Sequence, residues 1–460
     1  MDRVVGGRQA ARALAAACLI GTSSAPLIAQ TAPRYSVTEL AGVGQQINNS
    51  GQIAGWVTVA GSPHAAIYGN GAWRDLGIPA GDQLSTLFGI NNAGAAVGFS
   101  FASLPPPPDP ADNRWTAIWA PAGATAVQPL SLVSPDSFAY AINDSGAIVG
   151  CRNNYADTPP DPNRAFLVSN GAVTDLHALL STLPDDFSCA HDINNAGVVV
   201  GEFTPTGGVT RGFVYRNGTV TILMQQGTSR HLSIGRAINS AGRVVGDGGL
   251  TATGADQATT YDTGTGAYAS VGVEALGAST SAGNDINTSG DVVGSMTLNV
   301  GQHAFLARAG HVYDLNDLVP AGGDVVLQQA LSINDGGQIV ASGLLASDPP
   351  GTQRYYLLDA SAPAPSIDGL IAKVQALEAA HLLNHGNATV LIATLLNANR
   401  ALSAHCSRLA VLSLEAFVSQ VDTLIRTGRL SPSKGQPLID DANRIIDDLF
   451  ANPTPKKCKP

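Results

Sequence analysis

The side chains with the clearest potential for chemistry are one glutamate and two histidines near the C-terminus. Glu378, His381 and His385 stand at positions i, i+3 and i+7, which predicts that they share one face of a helix. Histidines four residues apart can bind one metal ion. His385 directly precedes Gly386, however, and an imidazolium is also favoured at the C-terminus of a helix. We favour the second interpretation and predict no metal site.

Recurring aspartates are the other candidates for a reactive site. Asp75, Asp175 and Asp314 each precede a leucine in similar surroundings. A polar residue that returns in every unit of a repeat more often makes a structural hydrogen bond than a catalytic contact. The sequence also contains no Asp-x-Asp-x-Asp-Gly calcium loop, no Gly-x-Ser-x-Gly motif and no P-loop. We therefore predict no catalytic residue, no metal ligand and no cofactor.

Bulk composition narrows the class of protein. The 460 residues are 44% hydrophobic and 13% charged, with 51 Gly and 27 Pro, which is typical of a globular chain rich in turns. The formal net charge of −10 argues against a nucleic-acid partner, because the phosphate backbone would be repelled.

A nine-residue string returns seven times along the chain. The copies are INNSGQIAG from Ile47, INNAGAAVG from Ile90, INDSGAIVG from Ile142, INNAGVVVG from Ile193, INSAGRVVG from Ile238, INTSGDVVG from Ile286 and INDGGQIVA from Ile333. In each copy Asn begins a four-residue cluster and Gly ends it. This is typical of a tight turn in which the Asn side chain bonds the backbone and the Gly takes a positive φ. Each copy therefore predicts a β-hairpin.

The rest of each period, roughly 48 residues long, supplies two more strands. Strings such as RAFLV, RGFVY and HAFLA form a third strand, and VTDL and VYDL form a fourth. Four short strands in one period are typical of one propeller blade. The last copy lacks a fourth strand, whereas an extra strand, YSVTEL from Tyr35, precedes the first copy. We predict an all-β seven-bladed β-propeller in which this N-terminal strand completes the last blade and covers its edge.

The seven INxxGxxVG motifs resemble the HAF repeat of bacterial extracellular proteins. The resemblance covers residues 35 to about 358. It implies export and a repeated β-fold, but little chemistry. Blade 5 departs from the pattern, since QATTYDTGTGAYASV replaces the usual third and fourth strings.

The chain changes character after the segment SAPAPS. All five lysines lie beyond Ser366, whereas residues 30–365 hold 12 Arg against 26 Asp and Glu, a net charge of −14. Apolar residues then recur at helical spacing, which predicts a small all-α helical bundle of about four helices. This tail resembles the FIMAH domain of secreted bacterial proteins in HGNATVLIATL and in LEAFVSQVDTLIRTGRLSPSKGQPLIDDANRII. That resemblance implies a fold and a setting more than an activity.

These patterns predict a signal peptide at 1–29, the propeller at 30–360, a linker at 361–366 and the helical bundle at 367–460. The N-terminus combines three early arginines, short apolar stretches and small residues around a cleavage point after Ala29, as export signals do. Its apolar run is too short to span a bilayer. We expect a mature chain without a membrane span, either extracellular or periplasmic.

Four cysteines remain after the predicted signal peptide, and three pairings are possible. Cys151 ends the second strand of blade 3, and Cys189 begins the first strand of blade 4, which places both at one height on neighbouring blades. We predict the bonds Cys151–Cys189 and Cys406–Cys458, the second of which would clip the chain end to the bundle. An exported chain permits both bonds. The alternative is free thiols.

The sequence favours a secreted, non-catalytic binding or scaffolding propeller with a protein or glycan partner. The main alternative is an extracellular hydrolase or lyase that acts on a polymer at the propeller axis. A cluster of carboxylates or histidines over the axial opening would favour this alternative. A purely structural surface component is the third class.

Overall fold

The computed structural model describes residues 33–102, 114–133, 136–154, 161–181, 183, 186–224, 231–249, 256–319, 324–349, 351–361, 366–404 and 406–451. The predicted signal peptide, the interior of the predicted linker and Cys458 lie outside these residues.

Seven four-stranded antiparallel sheets confirm the predicted seven-bladed propeller. Each hairpin motif joins the first strand of a blade to the second. Blade 1 comprises β2 (Val43–Ile47), β3 (Ile53–Val59), β4 (Ser62–Gly69) and β5 (Ala72–Asp75). Blade 2 comprises β6 (Leu84–Ile90), β7 (Ala96–Ala102), β8 (Arg114–Ala120) and β9 (Gln128–Pro129). Blade 3 comprises β10 (Ser137–Ile142), β11 (Ile148–Asn154), β12 (Asp161–Ser169) and β13 (Ala172–Asp175), after which α1 spans His177–Leu180.

The remaining blades repeat this order. Blade 4 comprises β14 (Phe187–Ile193), β15 (Val199–Thr204), β16 (Arg211–Arg216) and β17 (Thr219–Ile222). Blade 5 comprises β18 (Ile234–Ile238), β19 (Arg243–Gly248), β20 (Gln257–Asp262) and β21 (Tyr268–Ser270). Blade 6 comprises β22 (Thr280–Ile286), β23 (Val292–Leu298), β24 (Gly301–Arg308) and β25 (His311–Asp314). The irregular string of blade 5 thus forms its third and fourth strands like the other blades.

The N-terminal strand closes the ring as predicted. β1 (Arg34–Leu40) pairs antiparallel with β28 (Arg354–Ser361), which continues through β27 (Ile339–Leu345) to β26 (Val325–Ile333). Tyr35 is buried among the core residues of this seventh blade, and its backbone N–H donates to the Leu318 carbonyl. The first and last strands of the propeller therefore join in one sheet.

The hairpin turns have the predicted chemistry. The Asn48 side-chain oxygen accepts hydrogen bonds from the backbone N–H groups of Ser50 and Gln52, at 3.0 and 2.9 Å. Gly51 has a φ of 75°, which a residue with a Cβ adopts only with strain. The repeated Asn and Gly are therefore required by the turn itself.

Four long helices follow the propeller, in agreement with the predicted helical region. They are α2 (Ile367–Ala379), α3 (His385–Ser403), α4 (Ser407–Arg426) and α5 (Pro432–Ala451). Their apolar faces form one hydrophobic core, and the buried residues of this core all come from the C-terminal region, from Ile367 to Ile446. None of the described helices is long and apolar enough to cross a membrane.

Candidate functional site

The first strand of every blade contains a β-bulge at one position of the repeat. In β14, Ala190 pairs with Gly201 and Asp192 pairs with Val200, which leaves His191 without a cross-strand partner. A bulge inserts one residue into a strand and re-aims its side chain. The seven bulge residues are Gln45, Phe88, Tyr140, His191, Arg236, Asn284 and Leu331.

All seven bulge residues line one cavity of about 310 Å³. Since each blade contributes its first strand, the cavity lies on the propeller axis. The other lining residues are Gln46, Ala141, Asp192, Ala237, Asp285, Gln329 and Ser332. We call this space the axial cavity. It combines two aromatic rings, an imidazole, a guanidinium, side-chain amides and two carboxylates.

The second glycine of the motif makes room for the bulge. A Cβ built on Gly201 would lie 2.0 Å from the Cys189 carbonyl oxygen, and one built on Gly98 would lie 1.9 Å from the Thr86 carbonyl oxygen. Real Cβ atoms do not approach so closely, so the crossing requires glycine in the six blades that have one here. This requirement explains the last Gly of INxxGxxVG in those blades, whereas blade 7 has Ala341 at this position, paired with Ala330 beside its bulge.

The residue that follows this glycine supports the bulge residue in three blades. Glu202 accepts a hydrogen bond from His191 Nε2 at 3.1 Å. Asp247 accepts a hydrogen bond from Arg236 Nε at 2.7 Å. In blade 2 the supporting residue is Phe99, whose ring centroid lies 5.3 Å from that of Phe88. In each of these blades the neighbouring side chain therefore suits the bulge residue: a carboxylate bonds the imidazole or the guanidinium, and an aromatic ring packs against an aromatic ring.

Three neighbouring bulge residues form an aromatic wall. The rings of Phe88 and Tyr140 stack with centroids 5.2 Å apart, and Tyr140 meets the His191 ring edge-on at 5.6 Å. Burial raises the pKa of the Tyr140 phenol, and the nearby Glu202 carboxylate raises it further. The phenol is thus neutral and able to donate a hydrogen bond.

Two half-buried carboxylates line the axial cavity. Removal from solvent raises the pKa of Asp192 to about 7, although backbone N–H groups donate to it and lower the pKa. The Asp285 carboxylate raises the Asp192 pKa further. Removal from solvent also raises the pKa of Asp285.

Both carboxylates connect neighbouring blades. Asp192 accepts hydrogen bonds from the backbone N–H of Ile193 in its own blade, at 2.7 Å, and of Ile238 in the next blade, at 2.8 Å. Asp285 similarly accepts from the backbone N–H of Ile333 in the next blade, at 2.9 Å. These N–H groups belong to the innermost strand of each blade. The two aspartates therefore satisfy an inner sheet edge as well as lining the cavity.

A closed ring of asparagines directly follows the last residues of these strands. The Asn48 side-chain amide donates to the Asn91 backbone carbonyl in the next blade at 2.9 Å. Each following repeat Asn does the same, and Asn334 returns to the Asn48 carbonyl at 3.0 Å. The intermediate donors are Asn91, Asn143, Asn194, Asn239 and Asn287. A second cavity of about 230 Å³ lies at this ring and shares Gln46, Asp192 and Asp285 with the axial cavity.

The predicted cysteine pair is present at the blade 3–blade 4 contact. Cys151 and Cys189 form a disulfide, with their Cα atoms 4.9 Å apart. Cys406 is buried, and because Cys458 lies outside the described residues, the bond Cys406–Cys458 stays a prediction.

The other residues singled out from the sequence lie away from the axial cavity. Asp314 accepts hydrogen bonds from the Asn316 backbone N–H at 2.9 Å and pairs with His303 Nδ1 at 2.6 Å. Asp75 and Asp175 likewise bond nearby backbone N–H groups and a basic side chain. The recurring aspartates therefore make the structural bonds that we predicted.

The predicted helix face with Glu378, His381 and His385 is wrong. α2 ends at Ala379 and His381 has a φ of 56°, so the chain turns between the two histidines. His385 is the first residue of α3, and its Nδ1 lies 2.5 Å from Glu378 Oε1.

Sequence analysis does not identify the axial cavity. Its bulge residues each stand three positions before the repeat Asn, where all seven copies differ, whereas the Ile and Asn that follow two and three positions later never change. The contrast between one variable position and two invariant positions of the repeat is the sequence signal that could identify the cavity residues.

Comparisons with known proteins find similar solved structures but no match by sequence. No family model and no curated protein matches this sequence, so the resemblances to HAF and FIMAH stay predictions. The structure is similar to the β-propeller domain of the Trilobed protease from Pyrococcus furiosus, at 8% identity, with 70% of this chain and 97% of that chain covered and a TM-score of 0.43.

Two further solved structures are also similar to this chain. A prolyl endopeptidase is similar at 12% identity, with 72% of this chain and 50% of that chain covered and a TM-score of 0.47, so this chain spans about half of its length. A mutant of Aleuria aurantia lectin in complex with alpha-methyl-L-fucoside is similar at 10% identity, with 63% of this chain and 97% of that chain covered and a TM-score of 0.32. Neither likeness assigns a ligand or an activity to this chain.

Proposed function

We propose that the protein is an exported binding propeller that holds a protein or glycan ligand in the axial cavity without catalysing a reaction. One observation carries this proposal: seven equivalent bulges direct seven different side chains into one cavity. A position needed only for folding would be expected to repeat, as do the Ile and Asn that stand two and three positions later. A ligand that touches all blades at once needs different groups from each blade.

The chemistry of the lining supports a binding role. Specific ligand sites combine apolar surface with a few placed polar groups, and the axial cavity offers Phe88 and Tyr140 beside His191 and Arg236. No hydrogen bond joins the side-chain amides of Gln45 or Gln329 to another described residue, so both amides can bond a ligand. The imidazole of His191, the guanidinium of Arg236 and the two unengaged amides together give the cavity several polar contacts.

Catalysis by the axial carboxylates is the second candidate. Asp192 favours it, because a pKa of about 7 suits a general acid or base near neutral pH. However, each Asp192 oxygen already accepts a hydrogen bond from a backbone N–H group. Asp285 makes the equivalent bond to the first strand of its own next blade. We therefore assign the aspartates a structural role first and keep hydrolysis or elimination as the alternative.

A screen against glycan and peptide libraries tests the proposed function. The mature protein should bind a ligand, and Arg236→Gln or His191→Ala should weaken binding while the fold is retained. Arg216→Ala is the matched control, since Arg216 is exposed at the end of β16, outside the axial cavity. Ligands that bind all these variants equally would place the site elsewhere.

The enzyme alternative has its own readout. If bound polymer is cleaved, and Asp192→Asn abolishes cleavage while binding persists, the protein is an enzyme and the binding-only proposal fails.

Export is part of the proposal and has a separate test. The Cys151–Cys189 bond is consistent with an oxidising compartment, and the HAF and FIMAH resemblances imply the same setting. N-terminal sequencing of the mature protein should begin near Gln30. An intact N-terminus on a protein retained in the cytoplasm would contradict export.

A further inference from the structure

The aromatic residues of blades 2 and 3 form a continuous band that reaches the axial cavity. We call it the aromatic track, and its members are Phe88, Phe99, Phe101, Trp115, Phe138 and Tyr140. From the innermost strand outward, ring centroids are separated by 5.3 Å for Phe88–Phe99 and 5.1 Å for Phe99–Trp115. Phe101, in the same strand as Phe99, lies 4.4 Å from Trp115. Phe138 of blade 3 lies alongside, 5.2 Å from Phe99 and 5.4 Å from Trp115.

The track is distinct from the hydrophobic core. All six rings are half-buried, and none belongs to the clusters of buried residues found within the described chain. The recurring aromatics Phe166, Phe213 and Phe305, by contrast, are completely buried in the third strands of their blades. Aromatic residues make up only 5% of the sequence, so six partly exposed rings in one band are a concentration that the fold does not require elsewhere.

The geometry points to a neutral polysaccharide chain as the ligand, with successive sugar residues lying on the aromatic track and the end of the chain in the axial cavity. This inference rests on the proposed function and names its ligand class. The C–H-rich face of a sugar ring stacks on an aromatic face, whose quadrupole is negative. The hydroxyl groups at the sugar's rim then need planar amide and carboxylate partners.

The axial cavity supplies such partners at the end of the track. The unengaged amides of Gln45 and Gln329 can both donate and accept, and the Tyr140 phenol is kept neutral by burial. The track continues over three rings, from Phe88 through Phe99 to Trp115, so a polymer can contact more of it than a single sugar can, which favours a polymer.

Charge and backbone bonding argue against two competing ligands. Residues 30–365 carry 12 Arg against 26 Asp and Glu, which disfavours an acidic polysaccharide. An extended peptide usually adds to an open strand edge. Here Gln46, Asp192 and Asp285 already accept from inner-strand N–H groups of the next blades. These three bonds occupy backbone donors of the axial edge that a peptide strand would otherwise use.

Calorimetric titration with defined oligosaccharides tests the inference. The probes are cello-, chito-, xylo-, manno- and malto-hexaoses with the matching disaccharides, and polygalacturonate serves as the acidic polymer. We expect at least one neutral hexaose to bind more tightly than its disaccharide. Trp115→Ala should weaken hexaose binding by about tenfold, as the loss of one aromatic stack predicts, with little effect on the disaccharide. Tyr140→Ala should weaken both.

Two variants separate stacking from folding. Trp115→Tyr should restore most of the affinity, because a smaller ring can still stack. Trp73→Ala is the matched control, since Trp73 lies in β5 of blade 1, away from the track. If Trp115→Ala lowers the melting temperature but leaves hexaose affinity unchanged, the track only packs the blades together and the inference is overturned.

The remaining outcomes distinguish the inference from the proposed function. If every neutral hexaose fails to bind at about 5 mM, or only polygalacturonate binds, the inference is wrong. A peptide ligand that depends on Arg236 would then leave the binding propeller intact with a different ligand class. If neither class depends on the bulge residues, both proposals fail.

Discussion

Replacement of Asn194 should show how much of the propeller's stability comes from its ring of asparagines. The Asn194 side chain makes three hydrogen bonds. Its oxygen accepts from the backbone N–H groups of Ala196 and Val198 at 3.0 and 3.1 Å, and its amide donates to the Asn239 carbonyl of blade 5 at 3.1 Å. Asn194→Ala removes all three and so damages one turn and one contact between blades.

The expected loss follows from what remains unpaired. A buried donor or acceptor left without a partner costs about 1–3 kcal/mol. The Val198 N–H and the Asn239 carbonyl are buried, whereas the Ala196 N–H is only partly buried and can be hydrated. We expect a loss of about 3–5 kcal/mol in the free energy of unfolding, or a melting temperature lower by about 5–10 °C.

Two further variants divide this loss. Asn194→Ser keeps an oxygen that can bond the turn N–H groups but loses the donor to Asn239, so it should cost about 1–3 kcal/mol. Asn195→Ala is the control, because Asn195 is exposed and bonds only Asp144 of the preceding blade; it should cost less than about 1 kcal/mol. Thermal and urea unfolding, followed by circular dichroism, measure all three. Equal losses for Asn194→Ala and Asn195→Ala would refute the argument that the buried ring stabilises the propeller.

Four other predictions follow from the fold. Deletion of residues 30–42 removes β1 and should cause aggregation or early melting; melting like that of the full mature chain would contradict ring closure. Joint replacement of Cys151 and Cys189 by Ser should cost about 2–4 kcal/mol, and peptide mapping of unreduced protein should recover the bond. Because the raised pKa of Asp192 makes the folded state bind more protons than the unfolded state, its contribution is complete at low pH and is lost as pH rises through about 7. The stability difference between wild type and Asp192→Asn should therefore be larger at pH 5 than at pH 8, and a constant difference would contradict this. A fragment of residues 366–460 should be helical alone, since its core residues come from its own helices; an unfolded fragment would show that this region needs the propeller.

The fold could be predicted because its signals are local and repeated. Asn and Gly within four residues predict each turn, and the seven copies predict the number of blades. Even the closing strand is visible, because the last copy lacks a fourth strand and YSVTEL supplies one. In the helical region the local signal at Gly386 fits either the end or the start of a helix. Gly386 suggested the end of a helix, but the side chain of Asn384 accepts a hydrogen bond from the Asn387 N–H and begins α3 instead.

The site could not be predicted because it depends on distances between blades. Asp192 and Ile238 are 46 residues apart in sequence, yet a 2.8 Å hydrogen bond joins them. Their proximity follows from the ring, which brings the seven first strands around one axis. The bulge is equally invisible in a single copy, since an unpaired residue such as His191 differs in no local way from its paired neighbours. Only the comparison of all copies, made with the register known, separates the residues of the cavity from those of the strand.

The arrangement of the repeat explains how one propeller can combine a fixed frame with a variable cavity. Asn194 must be asparagine, because its oxygen holds a turn while its amide holds the next blade. His191, three positions earlier, is released from pairing by the bulge, so its identity places no demand on the sheet. Its polar contact instead comes from Glu202, 11 residues away, and Arg236 has the same relation to Asp247. Under the proposed binding function, a change in the polar chemistry of blade 4 or blade 5 would therefore involve two positions of that blade, while the ring of asparagines stays intact.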